Sequence, residues 1–136
     1  MKHTAKDQMP EILKLFPGFS PTWKAHKKYW GNEEAGLCLD LSEFAQYTHK
    51  LLLKANEQSE KELKTIFDHM ESLLTEGDEA TKDAAATCFL ENIINLTTND
   101  SPYLSFFISC LGKNSKQYCI DWNAFNGGGL IGLEKK

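Results

Sequence analysis

The sequence predicts an all-α fold, a single compact domain of six to seven helices. The choice of apolar residues indicates helix, because the 136 residues include 17 leucines and no valine. The spacing of these residues points the same way, since they recur three and four positions apart along most of the chain. A chain of this length buries one core, so we expect one domain rather than several.

The first two predicted helices are bounded by proline and glycine. The first covers residues 7–16, and the Pro-Gly pair that follows ends it. The second begins at Ser20 and Pro21, a capping residue followed by proline at the first helical position, and it ends before Gly31.

Capping signals mark the third and fourth helices. Asp40 and Glu43 have the spacing of a capping box, and we expect their helix to continue to about Ala55. The fourth helix, residues 59–76, opens with the same pattern. Its apolar side chains fill an arc of about 120° without an interrupting charge, which is typical of a helix that packs through one side.

The fifth helix, residues 79–96, is apolar around most of its girth, which predicts a central position. The sixth, residues 100–112, opens with a capping serine followed by proline, and a shorter helix covers residues 115–125. Residues 127–136 contain too many glycines for a stable helix, so we expect a flexible tail after a domain of residues 1–126.

The fourth and fifth helices also form a pair joined by an acidic turn. The second helix of this pair is rich in alanine, which allows close stacking, and the combination is typical of a HEAT-type repeat. One such pair leaves two architectures open, a small HEAT- or armadillo-like stack and an irregular helical bundle.

The charge balance restricts the classes of function. The net charge is −4 and all 15 basic residues are lysine, so binding of nucleic acid is not expected as the main role. The absence of arginine excludes mechanisms that need a planar bidentate guanidinium. The chain has no run of 18 apolar residues and a polar beginning, so we expect a cytoplasmic protein without a transmembrane segment.

No familiar catalytic or metal-binding motif is present in the sequence. It lacks a Gly-x-Ser-x-Gly elbow, a phosphate loop and a His-Glu-x-x-His pattern. The four cysteines, whose spacings match no zinc ribbon or redox pair, are Cys38, Cys88, Cys110 and Cys119. We expect reduced, buried thiols, no metal and no cofactor, and the sequence favours binding over enzymatic activity.

The second predicted helix combines aromatic and basic side chains. Trp23, His26 and Trp30 share one face, and three lysines lie on another. One interpretation is a core-facing aromatic stripe beneath a solvated lysine face. The other is a pocket or a local basic surface that contacts an anionic partner or a membrane surface.

Polar residues on the fourth and fifth helices form the candidate partner-binding set. It combines carboxylates with a stripe at intervals of four, and it consists of Glu71, Glu76, Asp78, Glu79, Asp83, Thr87, Glu91 and Asn95. Burial of Glu91 without a partner would cost several kcal/mol. The stripe of Thr87, Glu91 and Asn95 therefore either bridges to another helix or forms a polar groove for a partner.

Three stretches of the chain resemble a family of small bacterial proteins of unknown function. They are residues 16–19 with Trp23 and His26, residues 77–79 leading to 87–92, and residues 111–116 leading to Trp122. Some proteins of this kind are similar to the small standalone proteins that neutralise secreted polymorphic toxins. The resemblance implies a binding role and supplies no activity that could be transferred to individual residues.

Two functions are therefore predicted as alternatives. The favoured one is a non-catalytic protein-interaction module, in its most concrete form an immunity-type protein that binds a basic toxin or enzyme through acidic helices. The second is a small-ligand-binding or enzymatic helical domain with a pocket near Trp23, His26 and Glu91.

Overall fold

The computed structural model describes residues 2–54 and 56–135, and these residues form a single all-α domain, as predicted. The helices follow one another as α1 Gln8–Leu15, α2 Ser20–Trp30, α3 Leu37–Lys54, α4 Glu57–Glu76, α5 Glu79–Asp83, a π-helix Ala84–Leu90, α6 Glu91–Asn95, α7 Leu104–Cys110 and α8 Lys113–Phe125. Short 3-10 turns at Ala5–Asp7 and Pro17–Phe19 precede α1 and α2. HEAT-like stacking of these helices is not confirmed.

Elements α5, the π-helix and α6 run without interruption and occupy the centre of the domain. The π-helix buries six of its seven residues, and it packs against α3, α4 and α8. A π-helix is rare and its turn is wider than that of an α-helix. The sequence predicted a central position for this segment because it is apolar around most of its circumference, and the structure shows neighbours on several sides.

A row of fully buried phenylalanines connects the helices through the core. Phe44 of α3 contacts Phe89 of the π-helix with ring centroids 5.7 Å apart, and Phe89 contacts Phe67 of α4 at 5.8 Å. Phe67 in turn contacts Phe107 of α7 at 5.5 Å. Burial of each ring stabilises the fold by about 1.5–3 kcal/mol, so these contacts fix how the outer helices are placed.

Three predicted helix starts are wrong. Ser20 and Ser101 make no side-chain cap, because α2 and α7 begin after Phe19 and Tyr103. Asp40 lies inside the first turn of α3, where its carboxylate binds His26 instead of backbone amides. A local capping pattern identifies a residue whose side chain can cap a helix. Whether the side chain binds the helix amides or another group depends on the tertiary contacts around it. The predicted end of α3 at Ala55 lies outside the described residues.

The capping box of α4 exists with a shifted register. Asn56 Oδ1 accepts from the Ser59 amide at 2.9 Å, and Ser59 Oγ accepts from the Asn56 amide at 3.0 Å. Ser59 is thus the third residue of the helix and Asn56 is the cap. Ser59 alone could not reveal this, because asparagine and serine are comparably good caps.

The expectation of four reduced thiols is wrong for two of them. Cys38 of α3 and Cys88 of the π-helix form a disulfide with Cα atoms 5.2 Å apart. Their separation of 50 positions hides the pairing in the sequence. Cys110 and Cys119 are free and buried, as expected, and burial raises the pKa of Cys119 to about 12. A thiol with such a raised pKa is a poor nucleophile.

The glycine-rich end of the chain packs against the domain. Leu130 and Leu133 are buried, and the Asn123 side chain donates to both of their carbonyls and accepts from the Leu130 amide. The glycines prevent a helix, as predicted, but two leucines and one asparagine hold the loop in place. The structure thus places Leu130 and Leu133 against the domain, while the flexibility of residues 127–136 stays a prediction.

Among residues 2–54 and 56–135, no helix combines the length and the apolar character needed to cross a bilayer.

Candidate functional site

The helix formed by α5, the π-helix and α6 presents a polar stripe to solvent. Glu79, Asp83, Thr87 and Asn95 are exposed at every fourth position, and Glu91 between them is half-buried. From residue 84 to residue 90, only Thr87 is exposed. The spacing predicted from the sequence is thus observed, and we call these five residues the polar stripe.

Two of the five residues of the polar stripe form hydrogen bonds with α8. The Tyr118 hydroxyl donates a hydrogen bond to the Glu91 carboxylate, and Trp122 Nε1 donates to Asn95 Oδ1 at 3.2 Å. Burial and the bond to Glu91 raise the pKa of Tyr118 to about 12, so its hydroxyl keeps its proton at neutral pH. Glu91 and Asn95 therefore bridge two helices, whereas Glu79, Asp83 and Thr87 face solvent.

Aromatic side chains of α8 continue this surface. Trp122 and Phe125 stack with ring centroids 5.6 Å apart, and Phe125 is 80% exposed. With Tyr118 and Asp121 they line a shallow hollow of about 240 Å³. We call the polar stripe together with Tyr118, Trp122 and Phe125 the α5–α8 surface. The spacing of these aromatics on α8 is helical and could have been recognised in the sequence.

Two predicted partner-binding carboxylates cap helices instead. Glu71 accepts from the Asn114 amide and Nδ2 and from the Ser115 amide and Oγ, at 2.8–2.9 Å. Asp78 accepts from the Thr81 amide at 2.9 Å and from the Ala5 amide at 3.2 Å. These hydrogen bonds connect separate parts of the fold, and a contact of Glu71 or Asp78 with a partner stays a prediction.

The electrostatics of Glu71 reflect its capping role. Partial burial raises its pKa, but the hydrogen bonds from Asn114 and Ser115 together outweigh this effect, so the pKa lies below its ordinary value. The carboxylate is thus held in its charged form at the amino end of α8, where the helix dipole favours negative charge.

The remaining predicted carboxylates lie on the surface. Glu76 is 3.8 Å from the Lys2 ammonium. For Glu79 and Asp83, the residues placed by the structure include no lysine or histidine within 4.0 Å. The exposed predicted carboxylates are therefore Glu76 at the end of α4, which lies beside Lys2, and Glu79 and Asp83 on α5.

The predicted pocket residues surround a cleft between α2 and the beginning of α3. Trp23, His26 and Trp30 line it together with Lys27 and the half-buried Asp40, and its volume is about 500 Å³. His26 is buried, and its Nε2 is 2.9 Å from Asp40 Oδ1. We call this the α2–α3 cleft. The sequence predicted its aromatic face but missed Asp40, which has the appearance of a helix cap.

The pocket predicted near Trp23, His26 and Glu91 does not exist as one site. Glu91 points to Tyr118 of α8 and is not among the residues that line the α2–α3 cleft. The reason is topological, because α3 and α8 pack against different sides of the central helix. The structure therefore offers two separate candidate sites, the α5–α8 surface and the α2–α3 cleft.

Comparisons with known proteins agree with the resemblance to an uncharacterised family. A family model described as a domain of unknown function (DUF7674) matches residues 9–127. No curated protein and no solved structure matches the chain. The family model spans all the helices from α2 to α8, so the chain belongs to this family of domains of unknown function.

Proposed function

We propose that this protein is a non-catalytic interaction module that binds a basic protein partner through the α5–α8 surface. The observation that carries the proposal is that exposed carboxylates share one face with the aromatic rings of α8, of which Phe125 is exposed and Tyr118 and Trp122 are half-buried. Glu79 and Asp83 lie at one end of this face, and Trp122 and Phe125 lie at the other.

The two kinds of side chain suit different parts of an interaction. Tyrosine, tryptophan and other aromatic residues supply much of the affinity of protein interfaces, because they bury large areas with little loss of conformational entropy. Phe125 is 80% exposed and has this area to offer. The carboxylates attract a basic partner over longer distances and accelerate its association.

The size of the face also fits a protein partner. Glu79 and Asn95 are separated by 16 positions along a continuous helix, which corresponds to roughly 20–25 Å at helical rise. A standard protein interface covers about 800 Å² on each partner, a patch of about this extent. A small molecule would contact only a fraction of this face.

An immunity-type role is the most concrete form of this proposal. It is supported by the resemblance to standalone toxin-neutralising proteins and by the net charge of −4. An acidic face imitates phosphates and can block a basic nuclease. In this role the protein would act in a bacterial cell, and the gene of its toxin would lie beside its own.

Capture of a partner with matched variants tests the proposal. The surface variant carries Phe125→Ser and Asp83→Lys, and the control variant carries Tyr29→Ser and Glu57→Lys at exposed positions of α2 and α4. Both variants change one exposed ring and one exposed carboxylate. We expect the wild type and the control to retain the same basic protein from the source cells, and the surface variant to lose it.

Salt dependence of the captured complex provides the second readout. The affinity for wild type should fall steeply as salt is raised, because exposed charges are screened. The proposal fails if the surface variant retains the same proteins as the control. It also fails if the captured partner is acidic or if its affinity does not respond to salt.

A further inference from the structure

The α2–α3 cleft is a second, independent site with its own chemistry. It is formed by α2, the beginning of α3 and the 3-10 turn Ala5–Asp7 that carries Lys6, whereas the proposed partner surface lies on α5, α6 and α8. Its volume of about 500 Å³ is within the range of pockets that hold small molecules, roughly 300–1,000 Å³. A function of this cleft therefore does not depend on the proposed partner.

The aromatic wall of the cleft is held in a fixed arrangement. The ring centroid of His26 is 5.6 Å from that of Trp23 and 6.4 Å from that of Trp30. Asp40 Oδ1 lies 2.9 Å from His26 Nε2, within hydrogen-bond distance, and Glu43 lies 3.9 Å from the other ring nitrogen. These contacts fix His26 between two half-buried indoles, Trp23 and Trp30, that line the cleft.

Two lysines of the cleft are available to an anion. Lys6 and Lys27 line it, and the Lys27 ammonium lies 5.6 Å from the centre of the Trp23 ring. Among the described residues, neither lysine forms an ion pair. The two lining carboxylates are placed differently, since Glu34 is exposed to solvent and Asp40 is hydrogen-bonded to His26. The two unpaired ammonium groups are therefore the charges that an anionic ligand can engage.

We propose that the α2–α3 cleft binds a planar aromatic small molecule that carries an anionic group. The ring stacks on Trp23 and Trp30, and the anionic group is bound by Lys27 and Lys6. Aromatic stacking and charge are both needed, because an exposed ammonium alone contributes at most about 1 kcal/mol to an ion pair. A cationic ring of the same shape would meet the two lysines and be repelled.

The indole N–H signals of the three tryptophans give a direct readout by NMR. The probe is 2-naphthoate, and naphthalene-2-methylamine and naphthalene-2-methanol are the cationic and neutral analogues. We expect 2-naphthoate to shift the signals of Trp23 and Trp30 and to leave that of Trp122 unchanged. The amine should bind at least tenfold more weakly than the carboxylate, and the alcohol should lie between them.

A matched pair of lysine variants tests the role of charge. Lys27→Gln should lower the affinity for 2-naphthoate about three- to fivefold. The double variant Lys6→Gln, Lys27→Gln should lower it about tenfold or more. Lys24→Gln, an exposed lysine of the same helix that does not line the cleft, should leave the affinity unchanged. The melting temperature of each variant reports whether the fold is intact.

Several results would overturn the proposal. They are equal or tighter binding of the amine, equal effects of Lys24→Gln and Lys27→Gln, and shifts confined to Trp122. Failure of 2-naphthoate to bind at any concentration up to its solubility limit would do the same. None of these results tests whether a basic protein binds the α5–α8 surface, so the two proposals fail separately.

Discussion

The contact between Glu71 and α8 allows a quantitative prediction about stability. Glu71 of α4 accepts four hydrogen bonds from Asn114 and Ser115, which are the second and third residues of α8. No side chain of α8 itself caps the helix, because its cap residue is Gly112. Glu71→Ala therefore removes the group that satisfies the free amides at this end.

We expect Glu71→Ala to lower the free energy of unfolding by about 2 kcal/mol. Loss of a capping side chain typically destabilises a protein by about 1 kcal/mol, and the charged acceptor with two further side-chain donors adds to this. We keep the figure low because the carboxylate is only partly buried and solvent screens it. For a domain of this size, the melting temperature should fall by roughly 6–8 °C.

Gly112 provides an independent way to disturb the same contact. Its φ of −71° suits any residue, but an added Cβ would lie 2.6 Å from Glu71 Cδ. Gly112→Ala must therefore push the carboxylate away from α8. We expect Gly112→Ala to lower the free energy of unfolding of the wild type by about 1–2 kcal/mol, because Glu71 loses hydrogen bonds. The same substitution should change the free energy of unfolding very little when Glu71→Ala is already present.

Wild type, Glu71→Ala, Gly112→Ala and the double variant form a double-mutant cycle. Urea unfolding of these four proteins measures the coupling energy between Glu71 and Gly112, and Glu79→Ala serves as a control at an exposed carboxylate. The pH dependence gives a second check. Because the pKa of Glu71 is lowered in the folded protein, its contribution is complete above the ordinary value of 4.5 and is lost as pH falls through the folded value. Additive costs in the cycle, or a stability gap between wild type and Glu71→Gln that persists in acid, would refute the reasoning.

Three further predictions concern other parts of the fold. Replacing Cys38 and Cys88 by serine should lower the free energy of unfolding by about 4 kcal/mol, since the disulfide closes a loop of 50 positions; an unchanged urea midpoint would contradict this. As a second readout of the same disulfide, alkylation of the protein from source cells, unfolded in denaturant without reductant so that the buried thiols react, should label two cysteines, whereas four labelled cysteines would support the reduced state expected of a cytoplasmic protein. Burial lowers the pKa of His69, so stability should decline as pH falls below 6.5 and His69→Gln should flatten that decline; a wild-type curve that is flat in this range would contradict the assignment. Asn123→Ala should accelerate hydrogen exchange at the Leu130 amide, and exchange at the wild-type rate would show that the leucines alone hold the end of the chain.

The all-α fold was predictable because its signals are local and repeated. Apolar spacing of three and four residues identified every long helix, and the apolar girth of residues 79–96 indicated its central place. The helix starts were less predictable. Asp40 has the sequence signature of a cap, but the position of His26 on a neighbouring helix determines what its carboxylate binds.

Features that depend on distant parts of the chain were missed. Cys38 and Cys88 carry no sign of their pairing, because their contact depends on the packing of α3 against the π-helix. Glu71 looks like a solvated surface acid, and only the placement of α8 makes it a cap. The shared face of Thr87, Glu91 and Asn95 was predicted from their spacing, whereas the link of Glu91 to Tyr118 required the tertiary structure.

The central claim is that a basic partner binds the α5–α8 surface. Titration of the isotopically labelled protein with the captured partner tests it most directly, through the indole N–H signals of the three tryptophans. Trp122 lies within the proposed surface, and Trp23 and Trp30 lie in the α2–α3 cleft. Our account predicts that the Trp122 signal shifts or broadens while the other two stay unchanged. Shifts of Trp23 and Trp30 with an unchanged Trp122 would contradict it.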